Sequence, residues 1–172
     1  MTHYTFKTIG RKSGHTEILP DHGHGDQTTY SVEGRTGWFS DKSPFRISKR
    51  LNGHTYQVGE VNIKSDCVTC NRRTIPLHSS RFSSSRKFIA LNGEKYVWKM
   101  DGVAGAHLLT DDNSKRTVAS YTAAHGFFKK KPAELSVYGE GETMIDEVVA
   151  TVVYMGRKVD RRKKRDEVVS VM

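Results

Sequence analysis

Cysteine is almost absent from this chain, with two residues in 172. A single pair of thiols cannot build the disulfide framework that small secreted domains use in place of a core. None is needed, because a chain of this length can bury a sizeable core in one domain. Long apolar runs are missing too. The longest falls well short of the ~20 residues that a membrane span requires. The opening MTHYTFKTIGRKSG also lacks the apolar stretch of a secretory signal. The expectation is a cytosolic protein with reduced thiols.

Signatures of catalysis are missing as well. No nucleophile elbow, phosphate-binding P-loop, dinucleotide fingerprint or HExxH pair occurs. His78-Ser79-Ser80 and Ser83-Ser84-Ser85 have no positioned base and read as a linker, which Arg81, Arg86 and Lys87 make basic. Two clusters have residue types that ligate metals. Asp21-His22-Gly23-His24-Gly25-Asp26 sets two imidazoles and two carboxylates within six positions, but the same composition describes a flexible polar loop. Cys67-Val68-Thr69-Cys70 has the spacing of half a zinc site or a redox pair. Only His54 and His78 could complete it, so the thiols read as incidental to a strand or loop. No metal and no cofactor is assigned, and a binding module is favoured over an enzyme.

What is present is a succession of short strands punctuated by turn residues. HYTFKTI, TEIL and TTYSVEG read as strands near the start. FRISKRLNGHTYQVGEVNIK and RKFIALNGEKYVWKM each place Asn-Gly between strand-like runs, and Asn-Gly supplies the positive φ that a type I′ hairpin turn requires. The two share Leu-Asn-Gly-x-x-Tyr, at Leu51–Tyr56 and Leu91–Tyr96, too short an echo to establish a repeat. GAHLLTDDNSKRTVASYTA reads as a third hairpin with a polar loop over Asp111–Arg116. PAELSVYG is a last strand, opened by Pro132 at a position suited to a sheet edge. This spacing predicts a sandwich or barrel.

The pattern then changes. Thr143-Met144-Ile145-Asp146 resembles a helix start with a capping hydroxyl and acidic first turn. Met144, Ile145, Val148, Val149, Val152, Val153 and Met155 cover nearly every direction of a helical wheel, the mark of a helix buried on all sides. Its valines favour strand by propensity. The continuation into Lys- and Arg-rich sequence favours helix. Thirteen residues at about 1.5 Å each span about 20 Å, the height of a small barrel whose strands are five or six residues long. The reading is a mainly β, closed antiparallel barrel over residues 1–165, enclosing a helix at about 143–165, with 166–172 as a short tail.

YQVGEVNIK, FIALNGEKYVWKM, HLLTDDNSKRTVASY and AELSVYGEGETMIDEVVATVVYMGRKVDRRKKR resemble a family of short fungal proteins of unknown function. The fold of that family is assigned to the tubby C-terminal-like class, with the phospholipid-scramblase-like and plant LURP-one-related proteins. The resemblance runs from about His54 to Arg165. It is most specific at Tyr96, Trp98 and Met144–Val149, and loose over the first fifty residues. It implies about twelve strands wrapped around one C-terminal helix. By analogy of fold it also implies binding of phosphoinositide-like lipid headgroups, although no tubby lipid-binding residue matches a position here.

Charge supplies the functional candidate. The net charge is +9, which suits an acidic partner. Arg157, Lys158, Arg161, Arg162, Lys163, Lys164 and Arg165 fall within nine positions against the single Asp160. At helical spacing Arg157, Arg161 and Arg165 share a face, with Arg162 near Lys158. The run reads as a surface for anionic phospholipid headgroups, which would make the protein peripheral to a membrane. It reads equally as a nucleic-acid or nuclear-import segment, or as a solvated helix end. A small-molecule or enzymatic barrel is a further alternative.

Overall fold

The computed structural model describes residues 1–9, 15–21, 28–34, 44–79, 83–124 and 131–170, without the side chains of 163, 164 and 167–170. Twelve strands and one long helix make up most of it. The strands are β1 (Thr2–Ile9), β2 (His15–Pro20), β3 (Thr29–Glu33), β4 (Phe45–Leu51), β5 (His54–Asn62) and β6 (Cys67–Cys70). They continue as β7 (Arg73–Pro76), β8 (Arg86–Ile89), β9 (Lys95–Asp101), β10 (Gly105–Thr110), β11 (Thr117–Thr122) and β12 (Ala133–Val137). A 3₁₀ turn at Gly139–Glu142 leads into α1 (Ile145–Ser170).

Chain neighbours pair antiparallel throughout, β1 pairs with β12, and the meander is interrupted only between β7 and β8. A narrow bridge closes that seam. His78 and Lys87 exchange N–H···O bonds of 2.9 and 2.8 Å, and the Arg73 guanidinium donates to the Ala90 carbonyl at 3.2 Å. The result is a nearly closed twelve-stranded antiparallel barrel, as the strand and helix patterns predict. Pro132 does not mark an edge, because it precedes β12 and β12 lies between β1 and β11.

The turns show how local chemistry sets the wall. Asn52 and Gly53 both take positive φ, 50° and 77°, so β4–β5 is the type I′ hairpin that Asn-Gly predicts. The β8–β9 turn departs from that expectation. Only Gly93 is left-handed, at 85°, and the Gly93 N–H bonds the Ala90 carbonyl while the Ala90 N–H bonds Glu94. That longer turn frees the Leu91 N–H, which donates to Glu147 at the helix start at 2.8 Å. The β6–β7 turn uses Asn71 and Arg72, φ 48° and 65°, a type I′ geometry without glycine that the sequence pattern does not announce. A bulge at Val58, which β5 inserts opposite the Ile47–Ser48 step of β4, brings both Val58 and Val61 into the core although they are three residues apart.

Inside, the helix is enclosed. Val148, Val149, Ala150, Val152, Tyr154 and Met155 are fully buried, and Val153 is only 7% exposed. Burial overrides the strand propensity of the valines, because a helix satisfies its own backbone hydrogen bonds inside an apolar lumen. It begins two residues later than predicted, because the Thr143 hydroxyl donates back to the Glu140 carbonyl at 2.8 Å instead of capping the first turn. It also extends beyond 165, to Ser170. At 1.5 Å per residue it is about 39 Å long, roughly twice the height of the strands. The turns beyond Arg161 therefore project from one mouth of the barrel, past the fully buried Val159.

Polar groups on the enclosed half all meet partners. Asp146 accepts from Tyr30 at 2.6 Å and from Lys49 at 3.0 Å. Glu147 is pushed up in pKa by burial, against the downward pull of the Leu91 N–H and Arg73. Thr151 accepts the Trp98 indole N–H at 3.0 Å and donates to the Glu147 carbonyl at 2.8 Å. These bonds fix the helix in height as well as in rotation.

Enclosure predicts a cost for any lost methyl group. Val152→Ala should lower the unfolding free energy by about 2 kcal/mol through lost burial and a residual cavity. The change should appear in urea unfolding as a shifted midpoint with an unchanged slope. An unchanged midpoint would mean that this face of the helix is not walled in.

Candidate functional site

Strand directions sort the connections into two ends. β1, β3, β5, β7, β9 and β11 all finish at the mouth from which the helix emerges. At that mouth the turn after β5 brings Asp66 to the helix. Asp66 accepts a short hydrogen bond from the Tyr154 hydroxyl and a 3.0 Å bond from the Lys158 ammonium. On the other side the Tyr154 hydroxyl accepts the Arg86 Nε–H at 3.1 Å. Arg86 stands at the start of β8 and is held by the Ser85 carbonyl at 2.9 Å. Lys158 also lies over the Tyr154 ring, 5.1 Å from its centroid.

Around this knot opens a cleft of about 470 Å³, lined by Ser84, Arg86, Met100, Lys158, Arg161, Arg162, Arg165 and Asp166. Lys158, Arg161, Arg162 and Arg165 stand at i, i+3, i+4 and i+7 of one helix, hence on one face. Arg86 adds a fifth cation from the barrel wall. The volume is that of an ordinary small-ligand pocket. At the other end a smaller cleft of about 270 Å³ meets the helix start, where Asp146 and Glu147 stand near Lys49. The cleft at the emerging end is basic, and the one at the helix start carries two carboxylates against one ammonium.

The run read from the sequence is therefore divided by the fold. Arg157 is buried, with its guanidinium stacked 4.2 Å from the centroid of the Phe45 ring. It faces a narrow apolar slot beside Thr16 and Tyr121, away from the cleft. Arg157 is thus part of the packing, and the grouping of Arg157 with Arg161 and Arg165 does not hold as an accessible face. Lys158, Arg161, Arg162 and Arg165 do come together. The side chains of Lys163 and Lys164 lie outside the described residues. Arg86 and Asp66 are the residues that the run does not reveal. Arg86 reads from sequence as part of a basic linker, and Asp66 gives no local signal at all.

The metal candidates fare differently. His22–Asp26 lie outside the described residues. Cys67 and Cys70 are three apart on one strand, so their side chains leave opposite faces. Cys70 is buried in the core, its thiol pushed up to about 12 by burial and by Asp146 and Glu147. Cys67 faces outward and is partly exposed. The pair cannot grip one ion. Among the described residues no cluster of three or more His, Cys, Asp or Glu is arranged for a metal. None of the helices described is long and apolar enough to cross a membrane.

The chain belongs to the family of unknown function DUF6593, which it matches over residues 11–161. That span takes in the barrel strands from β2 onward and the helix as far as the cleft. No curated protein and no solved structure matches the chain.

Charge in the cleft gives a pH signature. Burial raises the Asp66 pKa, but the hydrogen bonds from Tyr154 and Lys158, with the nearby charges of Lys158 and Arg86, outweigh it and hold the carboxyl below the usual range. A lowered folded-state pKa contributes stability above the unfolded value and loses it as pH falls through the folded one. Asp66→Asn should therefore melt at a lower temperature than the native chain at neutral pH. The gap should close as pH drops below the ordinary aspartate value of about 3.9. A gap that stays constant with pH would show that the Asp66 charge contributes nothing.

Proposed function

We propose that this member of DUF6593 is a non-enzymatic binding module that takes anionic phospholipid headgroups, phosphoinositide-like in chemistry, in the basic cleft. The supporting observation is the meeting of Arg86 from β8 with Lys158, Arg161, Arg162 and Arg165 around one concave space of about 470 Å³. Cations from two rigid elements gathered over a pocket suit a compact, multiply charged group. An extended polyanion would be met better by a long basic groove with aromatic side chains to stack on. Guanidinium groups match phosphate oxygens in fork geometry. Relation to the tubby C-terminal-like class is part of this reading, in keeping with a nearly closed twelve-stranded barrel around a C-terminal helix. So is attachment at the membrane periphery, with the basic mouth facing the lipid.

Each basic residue near an anionic membrane contributes about 1 kcal/mol. Arg86→Ser, Arg161→Ser and Arg162→Ser together should weaken co-sedimentation with phosphoinositide-containing phosphatidylcholine vesicles by about a hundredfold. A control with the same net charge, Arg50→Ser, Arg72→Ser and Lys95→Ser at the far end of the barrel, should sediment like the native chain. Equal loss in both would reduce the effect to net charge. Retention in both would dismiss the cleft. Salt-sensitive binding to DNA and RNA of any sequence, with no vesicle binding, would replace this reading by a nucleic-acid one.

A further inference from the structure

Two of the cations that line the cleft, Lys158 and Arg86, belong to a hydrogen-bonded knot that holds a carboxylate of the protein itself. Tyr154 and Lys158 both donate to Asp66, and Arg86 donates to the same Tyr154 hydroxyl. The donors stand on the helix and the barrel wall, which are fixed by the core. Asp66 stands on the turn between β5 and β6, in the left-handed region at φ 48°, and is 43% exposed on its side chain. Its backbone carbonyl is anchored by the Leu77 N–H at 3.0 Å, so the side chain alone can leave, by rotation about two torsions toward solvent.

We propose that Asp66 is a stand-in for a ligand phosphate. Tyr154, Lys158 and Arg86 form an anion subsite that Asp66 fills at rest and that a phosphate monoester takes by displacing it. This rests on the headgroup reading above and deepens it by naming the group that is recognised. A phosphate monoester carries a charge of about −1.5 to −2 and three strong acceptor oxygens. It can replace both bonds that Asp66 accepts and still present an oxygen to Arg161 or Arg162. A carboxylate or a phosphodiester, each with one negative charge, offers no more than Asp66 already does. A tethered group also competes at an effective concentration of about a millimolar or more, so a monoanion in solution does not dislodge it. Asp66 is in this sense a specificity-determining residue, which bars singly charged headgroups by already satisfying the donors that they would need.

Titration calorimetry with a soluble inositol trisphosphate, and sedimentation with vesicles of phosphatidylserine in phosphatidylcholine, test the proposal. The native chain should bind the trisphosphate and ignore the phosphatidylserine vesicles. Asp66→Asn should bind the trisphosphate about tenfold more tightly, the gain expected if the open state is populated about one time in ten. It should also acquire binding to phosphatidylserine. Asp166→Asn removes a carboxylate from the same cleft without emptying the subsite, and should give a smaller gain and no new lipid. In a Lys158→Met background the gain from Asp66→Asn should vanish. Asp66→Ser serves if the Asn variant does not fold.

Native binding of the trisphosphate without a gain in Asp66→Asn, or an equal gain in Asp166→Asn, overturns the stand-in and leaves the headgroup reading intact. Failure of both the native chain and Asp66→Asn to bind either probe overturns both.

Discussion

The Trp98 indole N–H, donated to Thr151 in the middle of the core, marks the constraint on which the rest of the molecule depends. A helix that is apolar on every side must be walled on every side, and each polar atom it carries into the wall must find a partner there. Val148, Val149, Val152 and Met155 impose the first condition. Asp146, Glu147, Thr151 and Tyr154 impose the second, each bonded to a different part of the barrel. The wall closes because the lumen is filled. The seam between β7 and β8 is held by the His78–Lys87 bridge and the Arg73–Ala90 hydrogen bond.

Fixing the helix also fixes what it carries outward. A buried cylinder free to slide would deliver its basic turns to no particular place. The polar bonds along its length set its height, so that Lys158 meets Asp66 and the following arginines stand over Arg86. The same core that stabilises the fold thus preorganises the cleft. For the proposed headgroup, a fixed helix and wall would leave only side chains, Asp66 among them, to rearrange on binding.

Much of the fold was legible in the sequence. Two periodicities, alternation in the strands and all-round hydrophobicity in Met144–Met155, distinguish the barrel from its contents. Asn-Gly located both hairpins. It fixed the turn type only at Asn52-Gly53, because at Asn92-Gly93 the turn also has to present the Leu91 N–H to Glu147. The β6–β7 turn was hidden because Asn71-Arg72 adopts left-handed backbone without glycine. The site was half legible. A cluster of Lys and Arg is visible in any sequence, but helical phase alone could not tell that Arg157 stacks inward on Phe45. Arg86 joins the cleft, and Asp66 meets Tyr154 and Lys158 beside it, only through pairing of strands distant in the chain, which leaves no local trace.

Hydrogen exchange of the helix tests the central claim most directly. If the barrel encloses α1, the backbone amides of Val149–Met155 should exchange only through global unfolding. Their protection should then equal the unfolding free energy and fall in step with it as denaturant is added. The amides beyond Arg161, which project from the mouth, should exchange much faster. Rapid exchange of Val149–Met155, while the strands remain protected, would mean that the helix leaves the barrel without unfolding it, and would contradict the account.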